Sequence, residues 1–174
     1  SGDLNTALYQ YGFFDDTVLV LDGNTFGYTI FTYEGSDRID ASRTTLPATG
    51  LSVYAGSGND TIICGASSSS IYDGSGNDNV RGGSNADVIY AAAGNDTYDG
   101  GGGFDTLDFA LLSFDGIGPV LPSSSLTSGL TVDLAKTTAQ SFGSYGNDTL
   151  KNIERVRGGY GPDTLLGTSG ANQI

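Results

Sequence analysis

Histidine is absent from this 174-residue chain, and only seven Lys and Arg stand against 20 Asp and Glu, for a formal net charge of -13. Without histidine there is no His-dependent triad, no HExxH zinc site and no imidazole general base. So few basic residues form no basic patch for phosphate, which excludes nucleic acid and acidic lipid as partners. The excess negative charge predicts a cationic partner, and metal ions are the obvious one.

Cysteine and long apolar runs are also scarce. A single Cys64 excludes an intrachain disulfide framework, and with no histidine or basic residue beside it we interpret it as an inert thiol. No stretch approaches 18 apolar residues, so no transmembrane helix is expected. The length fits one continuous domain, which we expect to be a piece of a longer protein.

Glycine and aspartate are abundant instead. The chain has 28 Gly, and all of its acidic residues except Glu34 and Glu154 are Asp. Short carboxylates among glycines are typical of tight turns rather than of a solvated helical face. The composition therefore predicts a turn-rich, all-β chain.

A nine-residue period begins at Ala55. Six consecutive nonapeptides follow without gaps: AGSGNDTII, CGASSSSIY, DGSGNDNVR, GGSNADVIY, AAAGNDTYD and GGGGFDTLD. Turn-forming residues fill the first six positions, and positions seven to nine suit a short strand whose eighth residue faces inward. Two nonapeptides make one coil, and stacked coils close a thin core between two parallel sheets. The inner residues would be Ile62, Val80 and Tyr98 on one sheet and Ile71, Ile89 and Leu107 on the other.

Residues 18 apart then lie one above the other, about 4.8 Å apart. The sixth positions form a first column of Asp60, Asp78 and Asp96 and a second column of Ser69, Asp87 and Asp105. Two carboxylates about 5 Å apart repel by roughly 3 kcal/mol at an effective dielectric constant near 20, so the stack needs a cation. Calcium suits such a gap better than magnesium because it accepts six or more oxygen ligands in a flexible geometry.

The predicted ligands combine carboxylates with turn carbonyls. Asp37 in TYEGSDRID is expected to stack below Asp60, whereas Ser69 leaves its gap with Asp87 weak or empty. We expect roughly four to six calcium ions. The remaining candidate ligands are the turn residues Gly56, Gly58, Gly74, Gly76, Gly83, Asn85, Ala92, Gly94, Gly101 and Gly103, with Asp148 and Asp163 farther along the chain.

AGSGNDTII, DGSGNDNVR and GGSNADVIY resemble the GGxGxDxUx repeat of RTX, or haemolysin-type, calcium-binding proteins. GSYGNDTLKNIERVRGGYGPDTLLGTSGANQI, from Gly143 to Ile174, resembles the irregular repeats of such arrays. The resemblance implies a right-handed parallel β-roll. It also implies a larger bacterial protein that is exported by a type I system and folds on extracellular calcium. Any catalytic domain would then lie elsewhere in the parent protein.

The flanks complete the predicted organisation. TVLVLDG and FGYTIFTY predict an N-terminal β-hairpin, turning at residues 22–24, that caps the roll. We expect a cap at 1–36, the core roll at 37–108, an excursion loop and strand at 109–142 and irregular coils at 143–174. The loop is interpreted as an insertion, with partner binding as the alternative.

Other functions compete with the calcium module. Tyr72 and Tyr90 stack at the ninth position, which fits cross-strand packing but also a carbohydrate- or cell-surface-binding accessory module or contact with copies of itself. DGSGND at Asp73 imitates an EF-hand start, but Ser84 stands where that loop needs Glu. Catalysis by aspartate pairs is disfavoured because it needs two different environments, whereas these carboxylates are repeated and equivalent.

Overall fold

Short strands dominate the computed structural model, which describes residues 7–9, 14–20, 27–44, 50–109, 129–159 and 161–173. The described residues form no helix with the length and apolarity needed to cross a lipid bilayer. One 3-10 turn, Gly143–Tyr145, accompanies the strands. The strands are β1 (Ala7–Tyr9), β2 (Thr17–Leu19), β3 (Tyr28–Phe31), β4 (Arg38–Asp40), β5 (Leu51–Tyr54), β6 (Thr61–Ile63), β7 (Ser69–Tyr72), β8 (Asn79–Gly83), β9 (Val88–Tyr90), β10 (Thr97–Gly101), β11 (Thr106–Asp108), β12 (Thr131–Asp133), β13 (Gln140–Ser141), β14 (Asn147–Lys151), β15 (Arg155–Arg157) and β16 (Thr164–Leu166).

Strands β1 to β11 alternate between two seven-stranded sheets. One sheet has the order β1-β3-β5-β7-β9-β11-β15 and the other β13-β14-β10-β8-β6-β4-β2, with a separate pair formed by β12 and β16. All neighbours are parallel except β13 and β14. The predicted all-β, two-sheet parallel roll is therefore confirmed.

The 18-residue register is confirmed as well. Ile62 pairs with Val80 and Val80 with Tyr98 in one sheet, while Ile71, Ile89 and Leu107 align in the other. These six eighth-position side chains are all 0% exposed. Because the solenoid is only two sheets thick, these inward strand residues, together with buried turn residues such as Ala55 and Ala91, build the interior.

The hairpin predicted for residues 17–33 is wrong. β2 pairs in parallel with β4, and β3 pairs in parallel with β1 and β5 in the opposite sheet. Val18 and Ile30 are buried in the same core as the repeat residues, so this segment is a further coil of the solenoid. Alternating apolar residues and a turn signal occur in both arrangements, and the burial of both strands against the roll decides between them. The predicted hairpin turn at residues 22–24 and most of the predicted excursion loop, residues 110–128, lie outside the described residues.

Candidate calcium-binding columns

The sixth-position residues form two hydrogen-bonded columns. Each column runs across one sheet, along the edge formed by the N-terminal ends of its strands. In the first column the backbone N–H of Asp60 donates to Oδ1 of Asp78 at 2.7 Å, and that of Asp78 donates to Oδ1 of Asp96 at 2.7 Å. In the second column the N–H of Ser69 donates to Oδ1 of Asp87 at 2.6 Å, and that of Asp87 donates to Oδ1 of Asp105 at 2.8 Å. Each carboxylate thus bridges two coils, as the spacing predicts.

The first column extends beyond the contiguous repeats in both directions. The N–H of Asp37 donates to Oδ1 of Asp60 at 2.7 Å, which confirms that Asp37 stacks below Asp60. The N–H of Asp96 donates to Oδ1 of Asp148 at 2.9 Å across 52 residues of sequence. The N–H of Asp16 donates to Oδ1 of Asp37 at 2.8 Å. A run of six aspartates therefore lines this edge.

Sequence reasoning missed two members of the columns. The nine-residue period does not reach Asp16, although FDDTVL repeats the order of acid, Thr and apolar residue seen in GNDTII. Glu154 closes the second column, because its Oε2 accepts the N–H of Asp105 at 2.9 Å. The longer Glu side chain in NIERVR conceals the sixth-position signal. Asp163 lies apart from the Asp and Glu stacks, where its Oδ1 accepts the N–H of Leu130 at 2.8 Å near the β12–β16 pair.

Asparagines at the fifth position form a parallel series of hydrogen bonds. The N–H groups of Asn77, Asn95 and Asn147 donate to Oδ1 of Asn59, Asn77 and Asn95 at 2.7, 2.8 and 3.0 Å. These bonds run in the opposite direction to those of the aspartates, so each turn is tied to the coils on both sides. The Asn side chains therefore stabilise the turns that present the carboxylates.

One oxygen of most column carboxylates has no hydrogen-bond partner. The Oδ2 atoms are inaccessible to solvent and unpaired in Asp16, Asp37, Asp60, Asp78, Asp87, Asp105 and Asp148. A buried carboxylate oxygen without a partner is strongly destabilising unless a cation or proton satisfies it. The unpaired oxygens repeat from coil to coil, so the requirement is built into the fold.

Burial also raises the pKa values of the column carboxylates. Burial raises the pKa of Asp60 and Asp105 to about 6, of Asp148 to about 7 and of Asp78 and Asp87 to about 8. Repulsion between neighbouring carboxylates contributes to the same increase, and the backbone hydrogen bonds partly offset it. Proton uptake at these sites replaces the charge compensation that a metal ion would supply.

Turn glycines bring backbone carbonyls to the same edge. Gly76 has φ +140°, and a Cβ there would lie 1.6 Å from the carbonyl oxygen of Gly58 in the coil below. A Cβ at Gly94 would lie equally close to the carbonyl oxygen of Gly76. Successive turns therefore stack closely, and the carbonyl oxygen of one turn points at the glycine two residues before the column aspartate of the next coil. Carboxylate and carbonyl oxygens together are the donor set that calcium prefers, so the residues present fit this ion.

The second nonapeptide, CGASSSSIY, departs from the repeat pattern at Cys64 and at Ser69. Cys64 is 4% exposed, and burial raises its pKa to about 12, which supports the interpretation as an inert thiol. Ser69 contributes a backbone N–H to Asp87 but no carboxylate. The gap between these two residues has one acid instead of two.

The outer face of one sheet has a continuous aromatic stack of Phe31, Tyr54, Tyr72 and Tyr90. Consecutive ring centroids are 4.7, 4.5 and 4.2 Å apart, with interplanar angles of 8–10°. Both faces of the Tyr72 ring are thus covered by neighbouring rings. Since a sugar docks on an open ring face, this geometry favours cross-strand packing over carbohydrate docking.

Comparison with known families agrees with the geometry. The family model of the RTX calcium-binding nonapeptide repeat matches four copies, across residues 52–71, 72–107 and 153–174. Neither the curated proteins nor the solved structures include a significant match to the chain. The matched segments contain the contiguous repeats of both columns and Glu154.

Proposed function

Because the chain contains RTX calcium-binding nonapeptide repeats and so belongs to that repeat family, we propose that it is a structural module whose two columns hold calcium ions between successive coils. The ion supplies positive charge and a flexible coordination shell, and the chain supplies the oxygens. The carboxylate ligands are Asp37, Asp60, Asp78, Asp96 and Asp148 in the first column and Asp87 and Asp105 in the second. The structure adds Asp16 and Glu154 to this proposal as acids at the ends of the columns. Asp163 would hold an ion only in a separate, weaker site.

The observation that supports this function best is the repeated, buried and unpaired Oδ2 of the column aspartates. Oδ1 is already used by the backbone of the coil below, so Oδ2 remains for a ligand. The stacked turn carbonyls complete a set of oxygens, and we retain the proposal of roughly four to six bound ions.

Calcium binding and folding would be coupled. The columns exist only when coils stack, so the unfolded chain has no preformed site, and the free energy of binding adds to the free energy of folding. In the absence of the ion, neighbouring carboxylates repel across every gap. Calcium would therefore fold and stiffen the roll.

We further propose that the module is part of a larger, secreted bacterial protein exported by a type I system. The support is the family's typical setting together with the high negative charge, which suits a chain that stays unfolded where calcium is scarce. The coding sequence on either side of this chain is the test. A contiguous catalytic, adhesive or surface-lattice domain would support the proposal, and a gene that encodes only this chain would contradict it.

The repeated use of the column carboxylates supports a non-catalytic role. Most of them bridge two coils through the same backbone hydrogen bond, whereas acid and base catalysis needs two groups held in distinct environments for distinct roles. We therefore propose that any catalysis resides elsewhere in the parent protein.

Far-ultraviolet circular dichroism of the chain, with EGTA and then with excess calcium, tests the function. We expect the β-signal and a cooperative melting transition to depend on calcium, with an equal concentration of magnesium restoring much less. An unchanged spectrum and melting temperature in EGTA would refute the proposal.

A further inference from the structure

Asp73 occupies an interior position at which the neighbouring coils have small or apolar residues. Phe31, Tyr54, Tyr72, Tyr90 and Asp108 lie in register across their sheet. The residue that follows each of them turns into the core at the first position of the next turn, and these residues are Thr32, Ala55, Asp73, Ala91 and Phe109. All five are at most 2% exposed, and Asp73 is 0% exposed. A carboxylate between the methyl groups of two alanines has no role in packing, and its burial is unfavourable unless it is compensated.

The carboxylate of Asp73 faces the first column. Its Oδ1 accepts the N–H of Gly74 at 2.9 Å, and its Oδ2 accepts the hydroxyl of Tyr98 at 2.5 Å. The same hydroxyl oxygen lies 3.0 Å from Oδ2 of Asp96. Tyr98 has one hydrogen to donate, so it cannot satisfy both carboxylates at once.

Three carboxylates meet at this point. Asp73, Asp78 and Asp96 each offer one oxygen, and these oxygens lie within 4.8 Å of one another. Asp78 is 3% exposed, and its Oδ2 has no hydrogen-bond partner. In the described part of the chain the ion pairs join other acids, Asp40, Asp99 and Asp108, to basic residues on the strands. None of these ion pairs involves the three carboxylates of the cluster.

We propose that Asp73 is a third carboxylate ligand for the calcium ion between Asp78 and Asp96, and that this site is the tightest of the first column. The inference rests on the proposed function and refines it, because the repeat pattern assigns no ligand to the first position's side chain. Calcium affinity rises with the number of charged ligands in a site. Tyr98 acts as a positioning residue, since its hydrogen bond holds the Asp73 carboxylate toward the column.

Calcium titration of the full chain in competition with a chelator tests the inference. Asp73→Asn keeps the shape and removes the charge, and we expect the tightest binding step to weaken by about tenfold or more. The matched control is Asp99→Asn, which removes a carboxylate that contacts Lys151 on the outer face and should leave that step unchanged. An unaltered tightest step in Asp73→Asn would overturn the inference while leaving the proposed function intact. Failure of the unsubstituted chain to bind calcium at all would refute both.

A crystal structure of the unsubstituted, calcium-loaded chain is the second measurement, and it does not depend on how a variant folds. We expect a carboxylate oxygen of Asp73 at 2.3–2.6 Å from the ion, the usual range for calcium. An ion bound between Asp78 and Asp96 without an Asp73 oxygen in its shell would reject the third ligand.

Discussion

The backbone N–H of Asp78 donates to Oδ1 of Asp96 in the coil above, while the Oδ1 of Asp78 accepts the N–H of Asp60 in the coil below. One residue therefore belongs to two gaps of the first column. Its remaining carboxylate oxygen is buried and unpaired. Substitutions of Asp78 should therefore destabilise the contacts with both neighbouring coils.

Asp78→Ala should be the most damaging single substitution of a column residue. It removes a carboxylate from two proposed sites and a hydrogen-bond acceptor from Asp60, and we expect the free energy of unfolding in saturating calcium to fall by about 3 kcal/mol. Urea denaturation measures this change. Asp163→Ala is the control, because Asp163 is partly exposed and its Oδ1 bonds to Leu130 near the β12–β16 pair. An equal loss in both variants would contradict the ranking.

Glu154→Gln should weaken calcium binding while the fold is retained. The amide oxygen of Gln can still accept the N–H of Asp105, but the negative charge at the end of the second column is lost. Calorimetric titration should show one binding step weakened several-fold. Glu34→Gln removes the chain's other Glu at a position outside both columns, so its titration should match that of the unsubstituted chain. If both variants behave alike, Glu154 is not a ligand.

Gly76→Ala should prevent close stacking of the turns. The new Cβ would meet the Gly58 carbonyl at 1.6 Å, and the residue already has φ +140°. We expect a loss of more than about 3 kcal/mol, because the contact is with backbone that cannot move aside. At Gly143, φ is +65° and a Cβ would meet nothing within 4 Å. Ala at that position should therefore show only the backbone strain, about 1 kcal/mol. Thermal melts of the two variants in calcium separate the two effects.

The calcium-free chain should be more stable in mild acid than at neutral pH. Burial raises the folded-state pKa of Asp60, Asp78, Asp87, Asp105 and Asp148 to about 6–8, above the unfolded value near 4. Groups with a raised pKa contribute stability that is complete below the unfolded pKa and is lost as the pH rises through the folded pKa. Stability without calcium should therefore fall between about pH 4 and pH 8.

Urea midpoints measured in calcium-stripped buffer across this range check the pH dependence. Repetition in saturating calcium is the control, since occupied gaps should suppress the loss at neutral pH. A calcium-free chain that becomes more stable as the pH rises would contradict the buried, uncompensated columns.

The nine-residue period was enough to derive the central coils. It predicted the inward eighth residues, the 18-residue register and the stacking of Asp60, Asp78 and Asp96, because each of these depends on spacing alone. Asp37 could also be placed below Asp60, although 23 residues separate them. The prediction of an N-terminal hairpin was wrong because a parallel solenoid strand and an antiparallel hairpin strand have the same alternating pattern.

The sequence by itself determined the all-β roll, the direction of its side chains and the calcium chemistry of its repeated acids. Tertiary structure alone decided that Asp148 follows Asp96 across 52 residues, that Glu154 completes the second column and that Asp73 meets Tyr98 inside the core. Contacts at a constant spacing are encoded locally, and a pattern reveals them. Contacts across an interrupted register, or between side chains of different coils, depend on how the whole stack packs.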